Sequence, residues 1–351
     1  MLRNFADKNF ERLYGLDIIR FLAFLAIVIF HSSWVLWSPA PPDPLPTFLW
    51  RGAEFYARSL SFSGFTILFL SCFLMGLKSD SYRKNRWLPF FLILGFFTFS
   101  FCTYLKEGEF SFEWDIYPLL TVGIFTGKFL LHANKYIKIA FALLSLILLS
   151  FPVWELTMLR SILPRLEEIL IGQCPQDYAD WPILPWIALL WLGLLSGSMI
   201  SSFQKKGYKF HIRRFEVPIF AFISLFFFKY RTQYFHTQLG DGWACYTFRQ
   251  EPKIFWSHFL FWVSLIRLSL HPKIQDHLSQ YPFILFMSNL KINQHFYLAY
   301  FFHYIVIFAL AGLFQANTHK GWAVDGVLIL TLPMTEWILR FINKLRYLKP
   351  R

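Results

Sequence analysis

Charged side chains are scarce in this chain: Asp, Glu, Lys and Arg make up 16% of its 351 residues, against 56% hydrophobic. That shortage excludes an intrinsically disordered protein and leaves too little polar surface for an ordinary water-soluble fold. Cysteine is scarce as well, with four residues, Cys72, Cys102, Cys174 and Cys245. There is no C-x-x-C pair and no His/Cys cluster of metal-ligand spacing, so no metal is expected. Glycine-rich nucleotide loops and the nucleophile elbow of serine hydrolases are also missing. No internal repeat is found, which weakens a transporter reading, because many transporters are built from duplicated halves. No cleavable signal peptide is expected: the first apolar run begins near residue 16, is longer than a signal's apolar core and has no small-residue cleavage site behind it.

What the chain has in abundance is long apolar runs. Taking about 20 apolar residues to cross a bilayer core, ten helices are expected, near 16–37, 60–77, 87–105, 116–131, 137–154, 183–202, 215–229, 254–270, 295–314 and 322–343. The stretch 280–290 is too short to span and is expected at the interface or as a re-entrant piece. The fold class is therefore all-α, a polytopic integral membrane protein forming one bundle over residues 1–351, with short tails at 1–15 and 344–351. Cys72 and Cys102 fall in expected spans and read as packing residues, while Cys174 and Cys245 fall in expected outer loops where a disulfide is feasible.

The net charge of +13 sits in short clusters between the apolar runs. Such a pattern follows membrane topology and not a nucleic-acid-binding face, so no nucleic acid is expected as partner. The clusters KSDSYRKNR, QKKGYKFHIRR and KLRYLKPR fall on one side of the expected bilayer, and EGEFSFEWD and the acidic 155–181 segment on the other. Lys and Arg are about twice as frequent on the first side, which puts both termini in the cytoplasm. The segment 230–253, with Arg231, Arg249 and Lys253, departs from this pattern. Gly123–Gly127 and Gly193–Gly197 are small-x-x-x-small pairs, expected where helices pack closely. Asp325, Glu336 and Arg267 lie in or beside apolar runs without an assigned partner.

Asp17, Arg20 and His31 interrupt the first apolar run, LDIIRFLAFLAIVIFHSSWVLW. Ionisable groups inside a membrane span are costly and mark pathways or reaction sites. At about 100° per residue, the step from Arg20 to His31 is close to three turns, so the two share one face roughly 16 Å apart along the axis. Asp17 falls within about 40° of that stripe and stands three residues before Arg20, where the two can pair. The stripe is expected to line a polar cavity, with Arg20 near the cytoplasmic mouth and His31 toward the outer leaflet.

This first helix resembles that of the transmembrane acyltransferase superfamily, in which an Arg precedes a His by ten intervening residues, here Arg20 and His31 after the Leu16-Asp17 dipeptide. SFSGF at 61–65 and Arg83-Lys84-Asn85-Arg86 resemble the second- and third-helix motifs of the acyltransferase-3 family. Asp180-Trp181-Pro182-Ile183-Leu184-Pro185-Trp186, followed by Gly193 and Gly197, is similar to the middle helix of the heparan-α-glucosaminide N-acetyltransferase catalytic domain. Tyr300-Phe301-Phe302-His303 matches a Y-x-x-H element common to both branches, and Phe21 departs from them by standing where a Gly often follows the Arg. The resemblance implies transfer of an acyl group, expected to be acetyl, from cytoplasmic acyl-CoA to a glycan, glycolipid or other envelope acceptor at the outer side of a bacterial cytoplasmic membrane.

On that reading His31 is the catalytic base or a transient acyl carrier, since imidazole titrates near the working pH. Arg20 binds the phosphates of the coenzyme A donor through its planar fork, with Asp17 orienting it. Arg83 and Arg86 are further donor-binding candidates, although cytoplasmic loops carry such charges anyway. Asp180, Trp181 and His303 are candidates for holding the acceptor. Acyl-CoA is the cosubstrate expected, and the bilayer and a carbohydrate or lipid-linked acceptor are the partners. A transporter or flippase of lipid-linked sugars, without acyl-transfer chemistry, is the alternative.

Overall fold

The computed structural model describes residues 13–37, 63–79, 88–107, 116–151, 169–170, 183–236, 252–314 and 321–347. Among them there are helices and no strand. The long helices are α1 (Tyr14–Trp37), α2 (Ser63–Leu77), α3 (Leu88–Glu107), α4 (Ile116–His132), α5 (Lys135–Ser150), α6 (Trp186–Lys205), α7 (Glu216–His236) and α8 (Pro252–Ser269). Three short ones follow, α9 (Pro272–Leu278), α10 (Pro282–Asn289) and α11 (Lys291–Gln294), then α12 (Phe296–Leu313) and α13 (Gly321–Tyr347). A helix stands at each long apolar stretch of the sequence. Most of the 280–290 stretch forms the short helix α10, set between α9 and α11. Pro282, whose missing N–H costs nothing at a helix start, opens α10, and Leu290 (φ −58°, ψ 139°) interrupts the path into α11.

The described residues fall into two compact units, one holding those within 65–100 and 111–274, the other those within 13–64, 101–110 and 275–351. In the first, α6 is the central helix, buried on nearly all sides from Trp186 to Leu194. Its glycines let backbones touch: a side chain at Gly193 or Gly197 would run into the carbonyls of Phe69 and Phe73 on α2, and one at Gly76 into that of Leu194. The Gly193–Gly197 pair is thus the close-packing site its spacing implied. Gly123 of α4 receives the side chain of Leu190, and Trp191 Nε1 donates to Thr126 Oγ1 at 2.9 Å. Gly207, at φ 80°, ends α6 in a Schellman turn, with Tyr208 N donating to Phe203 O (3.1 Å) and Gly207 N to Gln204 O (2.9 Å). Arg267 finds its partner here. It pairs with Glu216 at 3.0 Å and donates to the carbonyls of Phe210 and His211, tying α8 to the chain that enters α7. Cys72 is buried in α2, as a packing residue would be; Cys174 and Cys245 lie outside the described residues, and the side chain of Cys102 likewise.

In the second unit α1 packs on α10, α11, α12 and α13, and α12 and α13 share a core of Val306, Ile307, Leu310 and Val327. Glu336, unassigned from sequence, reaches from α13 to the start of α11. Its carboxylate accepts the backbone N–H groups of Lys291 and Ile292, each at 3.0 Å, and the guanidinium of Arg340 at 2.7 Å. The unfilled donors of a helix start are thereby satisfied by a group whose own charge is paired.

The outward faces are apolar. Phe90, Phe97, Phe125, Phe129, Phe222 and Trp337 are each more than half exposed. Monomers in water rarely display so many large apolar side chains together. By length and composition α6 is the single described helix long and apolar enough to cross a bilayer, and shorter apolar helices occur at Leu68–Leu77, Ile116–His132, Glu216–Phe227, Phe259–Ser269 and Leu298–Leu313.

Two outcomes follow for stability. Gly197→Ala puts a methyl against the Phe73 carbonyl and the Leu77 amide, and is expected to cost about 1–3 kcal/mol through overpacking. Gly312→Ala, with nothing within 4 Å of the new methyl, is expected to be neutral or to gain up to about 1 kcal/mol from helix propensity; thermal unfolding in detergent compares the two. His271, just past α8, is held below the ordinary histidine value by desolvation first, then by His211, Arg267 and Lys273, while Glu216 pulls the other way. Protonation is therefore harder in the folded chain than in the unfolded one. This contribution to stability is intact above a pH of about 6.5 and is lost as pH falls below it, so His271→Gln should flatten the pH dependence of melting on the acid side.

Candidate active site

The site is built on one face of α1. The helix start is held by Gln275, whose Oε1 accepts the N–H of Tyr14 at 2.7 Å, and Asp17 in the first turn suits the positive end of the helix dipole. The face that follows, with Phe24, Ile27 and Val28 buried, carries Arg20 and His31 at its two ends. Asp17 and Arg20 form the expected i,i+3 pair at 3.8 Å, with only 16% and 15% of their side chains exposed. The Arg20 guanidinium also lies over the ring of Phe296, 5.2 Å from its centroid, a cation–π contact that helps keep a charge among apolar helices.

On α12, Tyr300, His303 and Tyr304 stand at i, i+3 and i+4, which puts them on one side of the helix. That side meets His31. His31 Nδ1 and His303 Nε2 are 2.6 Å apart, and His303 Nδ1 is 2.5 Å from the carbonyl oxygen of Tyr300. The ring of Tyr304 stacks on His31 at 4.3 Å and 26°, and Tyr300 meets it edge-on at 6.0 Å. Phe24 closes the other side, edge-on to His303 at 5.7 Å.

A carbonyl oxygen only accepts, so His303 Nδ1 carries the hydrogen it donates to Tyr300. With both rings neutral, His303 Nε2 then holds a lone pair and accepts the N–H of His31 Nδ1. The lone pair of His31 is left on Nε2. An imidazole in this state can take a proton from an attacking hydroxyl or amine, or attack a carbonyl itself.

Arg20 and His31 do not sit in one continuous polar stripe. Between them Phe24 packs edge-on to Phe296 at 6.0 Å, and the same two rings touch His303 and Arg20 respectively. The stripe has two polar ends joined along an aromatic strip. The reason is economy of burial: Phe24 lies on the stripe by its i+4 spacing from Arg20, and an apolar ring needs no partner there.

His303, assigned from sequence to the acceptor, is 0% exposed and has both ring nitrogens engaged. It stands behind His31, as its partner. Arg83, Arg86, Asp180 and Trp181 lie outside the described residues. Sequence reasoning missed Tyr304, Phe24 and Phe296. The only signal for Tyr304 is its i+4 spacing from Tyr300 within an otherwise aliphatic and Phe-rich helix. Among the described residues no three His, Cys, Asp or Glu side chains gather as metal ligands. No family model, curated protein or solved structure matches this chain.

Proposed function

We propose that the chain is a polytopic membrane acyltransferase that moves an acyl group, acetyl in the first instance, from cytoplasmic acyl-CoA to a glycan, glycolipid or other envelope acceptor on the outer side. The observation that carries the reading is the His31 imidazole, half-buried and hydrogen-bonded so that Nε2 bears its lone pair, on the same helix face as a paired arginine three turns away. The ten-span arrangement is supported by a helix at each long apolar stretch and by the large apolar side chains those helices present outward.

In this mechanism Arg20 contacts the donor's phosphates. The acceptor's oxygen or nitrogen attacks the thioester carbonyl while His31 Nε2 removes its proton. The carbon–sulfur bond breaks, and the proton passes from His31 to the departing coenzyme A thiolate. In the carrier variant, His31 Nε2 attacks the thioester carbonyl first and the carbon–sulfur bond breaks to release the coenzyme A thiolate; the acceptor then displaces the acyl group from Nε2, and its proton passes to the thiolate.

The test is acetyl transfer from labelled acetyl-CoA in membranes holding equal amounts of each protein. His31→Ala is expected to lower transfer by roughly 100-fold or more. Arg20→Ala is expected to raise KM for acetyl-CoA by roughly tenfold to a hundredfold, with kcat changed much less. Unchanged labelling in His31→Ala, accompanied by failed movement of a lipid-linked sugar, would instead favour the flippase reading. The topology is checked separately. Single cysteines introduced at Lys206 and at Lys273 should be reached by a membrane-impermeant thiol reagent only after the membrane is opened, whereas one at Glu109 should react in intact cells whose outer barrier is permeabilised.

A further inference from the structure

We infer that His303 is the positioning residue that selects which nitrogen of His31 is reactive, and that the tautomer is set by a peptide carbonyl instead of a carboxylate. The inference rests on the proposed reading only for its catalytic consequence; the tautomer itself follows from the contacts. Three groups form a one-way chain: the Tyr300 carbonyl accepts from His303 Nδ1, at 2.5 Å, and His303 Nε2 accepts from His31 Nδ1, at 2.6 Å. Its direction cannot reverse while the rings are neutral, because a carbonyl oxygen has no hydrogen to give. Either mode of action for His31, as base or as carrier, therefore uses Nε2.

The choice of anchor has a physical reason. In serine hydrolases the equivalent orienting group is an ionised Asp. A carboxylate among apolar helices is costly unless it is paired. The Tyr300 carbonyl can keep its backbone role and use its second lone pair for His303, so the tautomer is set without adding a charge. When His31 gains a proton at Nε2, its Nδ1–H bond to His303 becomes charge-assisted, and the stacked Tyr304 ring now faces a cation. Both contacts strengthen as the reaction proceeds, which is how a group accelerates a step instead of merely tightening binding.

The test uses the full-length protein, labelled with nitrogen-15 in histidine and held in nanodiscs without acyl-CoA, with His31 assigned by its loss in His31→Gln. The expected spectrum shows a neutral His31 with hydrogen on Nδ1 and none on Nε2. His303→Gln, whose amide oxygen can take the place of the accepting nitrogen, should keep that signature. His303→Leu should lose it to a mixture of tautomers. In the acetyl-CoA assay His303→Leu should lower kcat roughly 100-fold with KM for acetyl-CoA unchanged, and His303→Gln should recover to within about tenfold. A wild-type His31 protonated on Nε2, or a His303→Leu protein with the wild-type signature, overturns the inference; the wild-type measurement stands even where His303→Leu does not fold. If the nitrogen signatures behave as stated but no variant or wild-type protein transfers acetyl, the positioning role holds and the acyltransferase reading falls.

Discussion

An imidazole pair packed between α1 and α12 sets the terms for this part of the molecule. Two ring nitrogens 2.6 Å apart must share one hydrogen, and a polar ring that loses water must find such a partner or destabilise the fold. The contact ties two helices that are far apart in the chain, selects the facing residues on each, and determines which atom of His31 is left for chemistry. Tyr304, Tyr300 and Phe24 surround the pair with rings that add contact area without competing hydrogen-bonding groups.

The same rule governs the other buried or half-buried charges. Asp17 answers Arg20, Glu216 answers Arg267, and Glu336 answers both Arg340 and the open start of α11. Charges are few in this sequence, and in each of these cases the charged group is held by a partner of opposite sign. Elsewhere cohesion comes from shape. In the first unit the glycines of α6 and α2 bring backbone against backbone, the device that remains when apolar surface is plentiful on both sides of a helix and cannot by itself decide which face packs inward.

These two devices suit the proposed chemistry. Acyl transfer needs a base whose orientation does not wander and a charge to meet the donor's phosphates, separated by about the length of three helical turns. Mounting both on α1 makes their separation a property of the helix itself.

How much of this is legible in the sequence depends on the range of the interaction. The long helices could be read because each depends on a local run of apolar residues, and the short helix within 280–290 announced itself by being too short to span. The shared face of Arg20 and His31, the Asp17–Arg20 pair and the close approach at Gly193–Gly197 were legible for the same reason: each follows from the angular step of one helix. Spacing tells which residues share a face, but it could not reveal that Phe24 would meet Phe296 between Arg20 and His31. Nor could spacing reveal that His303, 272 residues from His31, is its hydrogen-bond partner, that Glu336 closes α11, or that Arg267 holds Glu216. Residues on one helix are placed by its geometry alone. A pairing between helices, and with it the nitrogen of His31 that carries the lone pair, depends on how the chain packs in three dimensions.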